Sequence, residues 1–132
     1  LDNNNYTGGA AVNVGNPHVI FFVDNNENFE IKKIGPEIEH HSLFPERCNV
    51  TLATVVNKEL IKVKVWERGA GLTKACGTAA CATAFAAMKN GLSSNKVDIE
   101  FSTGKLSIFI DENNSIHMKG PVSDIKEINI KI

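Results

Sequence analysis

A cysteine seated where an extended segment and a glycine-rich turn run into an apolar helix is a thiol placed to react. The stretch Trp66-Glu-Arg-Gly-Ala-Gly-Leu-Thr-Lys-Ala-Cys-Gly-Thr-Ala-Ala-Cys81 has that pattern. Unpaired N–H groups in a first helical turn, with the positive end of the helix dipole, favour a thiolate on Cys76 and an anionic group bound beside it. Such surroundings hold a cysteine's pKa below its ordinary value. Gly77 and Thr78 are small and leave their amides open to a carboxylate or oxyanion. Glu67 and Arg68 precede the thiol by nine and eight residues, with Gly69 and Gly71 letting the chain turn back toward the helix start. Glu67 can accept or relay the thiol proton, and Arg68 can grip a carboxylate through its bidentate fork. Taken alone, a Glu-Arg pair at a strand end is more often a surface pair than a catalytic one.

A second cluster is Asn16-Pro17-His18. A turn ending in histidine supplies a general acid or base that titrates near neutrality, although Asn-Pro is also an ordinary turn opener and His18 an ordinary strand start. Asn49 begins a strand and can hydrogen-bond a ligand or cap a turn. Cys48 and Cys81 read as small buried hydrophobes, Cys81 because it lies inside the helix. His40, His41 and His117 have no metal-ligand spacing with one another or with a cysteine, and no metal site is expected. They read as surface or helix-end residues.

These residues belong to a chain of 132 residues, 42% hydrophobic and 22% charged, enough for one core and too short for two comfortable domains. The net charge of -1 and the pI near 6.5 show no electrostatic footprint for nucleic acid or an anionic membrane. No apolar run spans a bilayer and no signal segment opens the chain, so a soluble, cytoplasmic protein is expected. Three cysteines at 48, 76 and 81 do not make a disulfide framework. Leu1 is no initiator residue and Leu-Asp-Asn-Asn-Asn is a polar lead-in, which suggests a piece cut from a larger protein.

The positioning elements are mostly strands. Val12 with Val14, and then residues 18–23, read as two strand pieces joined by a bend at Gly15-Asn16-Pro17. A short helix is expected over 34–44, with Pro36 in its first turn and Pro45 ending it. Residues 48–56 and 60–66 form an antiparallel pair turned at 57–59. In the second, Ile61, Val63 and Val65 alternate with Lys62 and Lys64, giving one buried and one wet face. Four more short strands are expected at 96–101, 105–110, 115–119 and 125–132, with a hairpin turn over 111–114. The one long helix, 76–90, is apolar on every face and therefore buried on every face, with a stop at Asn90-Gly91 and Lys89 complementing its dipole. The expected fold is α+β, a curved and mostly antiparallel sheet or barrel wrapped around one central apolar helix whose alanines let strands approach closely.

Gly15-Asn-Pro-His18, Phe44-Pro-Glu-Arg-Cys-Asn49, the Trp66–Cys81 stretch and Gly120-Pro121 occur in the order and spacing of the C-terminal half of the diaminopimelate epimerase family. The chain resembles that family over nearly its whole length, and the Glu-Arg-Gly…Ala-Cys-Gly-Thr block is the specific part. The resemblance implies an epimerase without cofactor that interconverts LL- and meso-diaminopimelate, on the route to lysine and peptidoglycan. Two cysteines would work on opposite faces of the α-carbon, one thiolate removing the proton while the other thiol delivers one. By motif position Cys76 is one of the pair, Glu67 resembles its acid–base partner, and His18 resembles the histidine assisting the other cysteine. Asn16, Asn49 and Arg68 match residues that hold the distal end of the substrate, with Glu67 also among the binding residues. The amides of Gly77 and Thr78 match those cradling the reacting carboxylate, where donors stabilise the charge that builds up as the proton leaves.

The second cysteine should sit in an N-terminal half with its own Cys-Gly motif, which this chain lacks; neither Cys48 nor Cys81 substitutes for it. The resemblance therefore implies two similar halves with the site in the cleft between them, and a fragment inactive alone. It divides the chain into a polar lead-in at 1–10, the domain proper at 11–121 and a final strand at 122–132 that packs on the missing half. Ile128, Ile130 and Ile132 are then exposed or drive self-association, which leaves a homodimer open. Leu72 and Ala79 depart from the family's usual Glu and Gly without touching an assigned role. Three other readings compete. A proline or hydroxyproline racemase shares the chemistry but has no need of a distal clamp. A non-enzymatic binding module with a vestigial cysteine leaves Glu67, Arg68 and His18 together unexplained. A cysteine hydrolase lacks a supporting signature.

Overall fold

The computed structural model describes residues 10–13, 17–26, 30–39, 49–67, 71–73, 77–102, 104–119 and 128–131. The chain forms strands β1 (Ala10–Asn13) and β2 (Pro17–Phe22), helix α1 (Ile31–Glu39), and strands β3 (Asn49–Asn57), β4 (Leu60–Glu67) and β5 (Gly71–Thr73). Helix α2 (Gly77–Lys89) and strands β6 (Lys96–Phe101), β7 (Gly104–Ile110), β8 (Ser115–Lys119) and β9 (Ile128–Lys131) follow. All strands join one sheet in the order β1-β2-β3-β4-β6-β7-β8-β9, with β5 paired to β4 off this path.

Two of the pairings, β2 with β3 and β4 with β6, are parallel, and the rest are antiparallel. A parallel pair needs a crossover, and the two helices supply them, α1 between β2 and β3 and α2 between β4 and β6. Because β3 runs antiparallel to β4, the two crossovers advance the same way across the sheet from strands of opposite direction. A common right-handed sense then requires the helices to lie on opposite faces, and they do. Ile20, Ala53, Val63, Val65, Ile99 and Ile108 share one core with α2, whereas Val19, Phe21, Val50 and Leu52 share another with Ile31 and Ile38 of α1. Strands β2 and β3 are thus buried on both faces, which is why they read as apolar runs instead of alternating. Lys62 of β4 points to water between buried Ile61 and Val63, as the alternation predicts.

Helix α2 touches strands β1, β2, β3, β6, β7 and β8, so the sheet curls around it. Its residues Ala79, Ala80, Cys81, Ala82, Thr83, Ala84, Ala86 and Ala87 are buried, and the absence of long side chains lets the strands close in. Burying a full Val, Leu or Ile side chain contributes about 1.5–3 kcal/mol, and the strands, not the helix, supply most of those side chains. The helix stops as expected. The Leu92 N–H donates to the Ala87 carbonyl (2.8 Å) and the Gly91 N–H to the Met88 carbonyl (3.1 Å), a Schellman closure with Gly91 at φ 71°. Lys58 Nζ donates to the Gly91 carbonyl at 3.1 Å.

The short helix begins earlier than the expected span of 34–44, whose last five residues lie outside the described ones. It starts at Ile31 and is described to Glu39, so Pro36 lies in its interior and not in its first turn. Glu30 opens it, its carbonyl accepting from the N–H groups of Lys33 and Ile34, both at 3.0 Å. The 111–114 turn is present. Asp111 Oδ1 accepts from the N–H groups of Asn113 and Ser115, both at 2.9 Å, while Oδ2 meets Nε2 of His117 at 2.9 Å. His117 is thereby a strand residue paired to Asp111, neither loose on the surface nor at a helix end. Strand β9 pairs antiparallel with β8, from Ser115 opposite Lys131 to Met118 opposite Ile128. The lead-in at 1–9, residues 40–48 and 120–127, and with them His40, His41, Cys48 and Pro45, lie outside the described residues.

Candidate functional site

Three strands meet at one end of the sheet. In the parallel β2–β3 pair His18 stands beside Asn49. In the antiparallel β3–β4 pair Val50 stands opposite Trp66, so the next step outward brings Asn49 level with Glu67. Glu67 in turn pairs with Gly71 of β5. His18, Asn49 and Glu67, widely separated in sequence, therefore form one row across the sheet, with Gly71, four residues on from Glu67, beside them. The placement of the first three follows from two strand registers, neither of which is local in the chain.

His18 and Asn49 are both buried, each 2% exposed. They continue the alternation of Ile20 and Thr51 and so lie on the α2 face of β2 and β3. The Asn49 Nδ2 donates to the Pro17 carbonyl at 3.1 Å, which ties the start of β3 to the residue following Asn16. Asn49 thus takes the bond expected of a turn-capping residue, and that bond fixes the approach to His18. The backbone of Glu67 is placed by its pairing with Gly71.

Helix α2 begins at the same end. Its first residue, Gly77, follows Thr73 by four positions, a reach of at most about 14 Å, and Thr73 is paired to Val65 of β4. Gly77 and Thr78 are half-buried at this terminus. Among the described residues no acidic side chain occupies the first turn, so no carboxylate of that turn stands at the positive end of the dipole. Met118 of β8 packs over Gly77: a methyl built there would stand 3.0 Å from Cε and 3.1 Å from Sδ. Cys81, one turn along, is fully buried as expected.

Asn16, Arg68 and Cys76 lie outside the described residues, as does the side chain of Glu67. Among the described residues no group of His, Cys, Asp and Glu is arranged to hold a metal ion, and no helix is long and apolar enough to cross a membrane. Two parts of the site region had no signal in the sequence. Strand β5 is three residues long, too short for any alternation to show. The packing of α1 on the strand end at Trp66 depends on a contact between residues thirty-one positions apart.

A sequence model described as diaminopimelate epimerase matches residues 10–125. The diaminopimelate epimerase of Pelagibacter ubique is 70% identical, the match covering 100% of this chain and 49% of that protein. That of Erythrobacter litoralis is 51% identical over 87% of this chain and 43% of its own length. The chain spans about half the length of the curated relatives it matches. In three dimensions it is similar to a phenazine biosynthesis protein of the PhzF family from Bacillus anthracis, with a TM-score of 0.58 at 20% identity, covering 87% of this chain and 39% of that one, which establishes a shared α+β fold. With the family model matching most of its length, this chain belongs to the diaminopimelate epimerase family.

Proposed function

We propose that the chain is the C-terminal half of an enzyme that interconverts LL- and meso-2,6-diaminopimelate by proton transfer at the α-carbon, without a cofactor. The observation that carries this reading is the row His18–Asn49–Glu67 beside the start of α2, within a chain 70% identical to a protein of that name. Cys76 supplies one thiol, and a second thiol comes from a preceding half of the protein. As one thiolate takes the α-proton, the opposite thiol gives up its own to the other face of the carbon, so each turnover inverts the centre and exchanges the roles of the two sulfurs. Glu67 serves the proton of Cys76 and His18 assists the opposite thiol.

Removing the proton shifts charge onto the adjacent carboxylate. Donors at the start of α2, the amides of Gly77 and Thr78, meet that charge as it grows and so stabilise the transition state more than the ground state. Asn16, Asn49 and Arg68 hold the distal amino-acid end. Burial of His18 and Asn49 keeps water from these two side chains, which strengthens each polar contact they make. The chain by itself is inactive, because inversion needs a donor on the far face. In the whole protein the segment 122–132, whose strand β9 pairs with β8 on one side, meets the preceding half on its other side.

The test is deuterium entry from heavy water into the α-position of LL-diaminopimelate, catalysed by the intact reading frame, with proline as the control substrate. Exchange with diaminopimelate alone, abolished by Cys76→Ala in folded protein, is expected. Exchange with proline alone, or full turnover by Cys76→Ala, would overturn the reading.

A further inference from the structure

Helix α1 is the element that the proposed chemistry leaves unused. It covers the face of β2, β3 and β4 opposite α2, burying Ile31 and Ile38 against Phe21, Val50 and Leu52, with Trp66 packed at the margin. Gly35 is buried within it, and the room a side chain would need there is already taken. A methyl built on Gly35 would overlap Cγ of Trp66 and stand 2.5 Å from Cδ2 and 2.6 Å from Cβ, far inside the roughly 3.5–4.0 Å of carbon contacts. The Trp66 Cβ is fixed to the backbone of β4, so no rotamer of the indole relieves the overlap. The helix backbone rests directly on the root of the tryptophan side chain.

That contact falls one register step behind the site row. Trp66 pairs with Val50 on one side and Leu72 on the other; Asn49 is the residue before Val50, and Glu67 the residue after Trp66. The chain also leaves α1 to enter β3 at Asn49. One contact therefore bears on both strand ends that carry the row.

We propose that the Gly35–Trp66 contact is a positioning device for the site: α1 seated on the indole holds the ends of β3 and β4 so that Asn49 and Glu67 stand level. The proposal rests on the epimerase reading for what that row does. Trp66 acts through its neighbours and is a positioning residue, not a catalytic one.

The full-length enzyme carrying Trp66→Phe, Trp66→Ala or Gly35→Ala tests it, read by kcat, KM, the pH profile of kcat/KM and thermal melting. Trp66→Phe keeps an aromatic face under Gly35 and should stay within a few-fold of the parent. Trp66→Ala and Gly35→Ala should lower kcat/KM by about 10²-fold, the scale of a small misplacement of reacting groups, and displace the pH profile of kcat/KM while a cooperative melt remains. If the alanine variants do not fold, Trp66→Leu, which keeps Cβ and Cγ and loses the ring, carries the same test. Unchanged kcat, KM and pH profile in folded Trp66→Ala or Trp66→Leu, or a fall in melting temperature alone, overturns the positioning role while the epimerase reading stands. A parent enzyme that exchanges no α-proton overturns both.

Discussion

At its C-terminal end helix α2 is closed on itself. The carbonyls of Ala87 and Met88 are satisfied by Leu92 and Gly91, that of Ala86 accepts from Asn90, and Lys58 reaches the Gly91 carbonyl from the turn between β3 and β4. At its N-terminal end the same helix starts on Gly77 and Thr78, with no acid in the first turn and the thioether of Met118 packed over Gly77. One terminus spends its polar groups on stability. The other begins with small residues beside the row of His18, Asn49 and Glu67. A helix built only for stability would carry an acid in its first turn, worth about 0.3–1 kcal/mol; here that gain is forgone where an anion is proposed to bind.

Adding the missing acid is the sharpest way to break this contrast. Thr78→Asp should leave the helix as stable as before or slightly more so, and should lower kcat/KM of the full-length enzyme by about 10²-fold or more, since like charges in contact cost several kcal/mol. Steady-state kinetics beside a thermal melt would show it, and undiminished kcat/KM would mean that no carboxylate meets this terminus. The opposite end should respond in the opposite currency. Gly91 has φ 71° and nothing within 4 Å of a built methyl, so Gly91→Ala has room but the wrong backbone conformation. It should destabilise folding by about 1–2 kcal/mol with kcat/KM unchanged, by urea unfolding and by exchange assay respectively.

The smallest effect is expected far from the site, at the β7–β8 turn. His117 and the N–H of Ser115 hold the Asp111 carboxyl below its ordinary pKa, the His117 hydrogen bond contributing most. A depressed carboxylate stabilises the fold above its unfolded pKa, and that contribution is lost as pH falls through the lower, folded value. Asp111→Asn should therefore lower the melting temperature slightly at neutral pH and flatten its decline on the acid side, with activity untouched. A variant that keeps the full acid-side decline would assign that decline to other carboxylates.

Much of the frame was legible along the chain. The alternation of Ile61, Val63 and Val65 with lysines located β4 and its wet face, Asn90-Gly91 located the end of α2, and the uncharged run 79–88 announced a helix buried all round. The start of helix α1 was read three residues late because its Gly35-Pro36 pair resembles a start signal, whereas both lie inside the helix, with Gly35 against Trp66. Strand β5 was missed because three residues carry no period. Of the candidate site, the Cys76 setting and the Glu-Arg pair could be read from local order, but Asn49 and His18 had only a weak local case until the β2–β3 register set them side by side.

Local sequence decided what is local in physics: where strands alternate, where a helix stops, and which cysteine precedes a run of small residues at a helix start. Those outcomes follow from backbone sterics, side-chain period and capping, each acting within a few residues. Tertiary structure alone decided that β2 and β3 run parallel, that the helices take opposite faces, and that His18, Asn49 and Glu67 fall in one row with Gly35 pressed on Trp66 behind it. These depend on register and on the handedness of crossovers between segments far apart in the chain, where the burial of one strand against another sets the outcome and no short stretch carries the information.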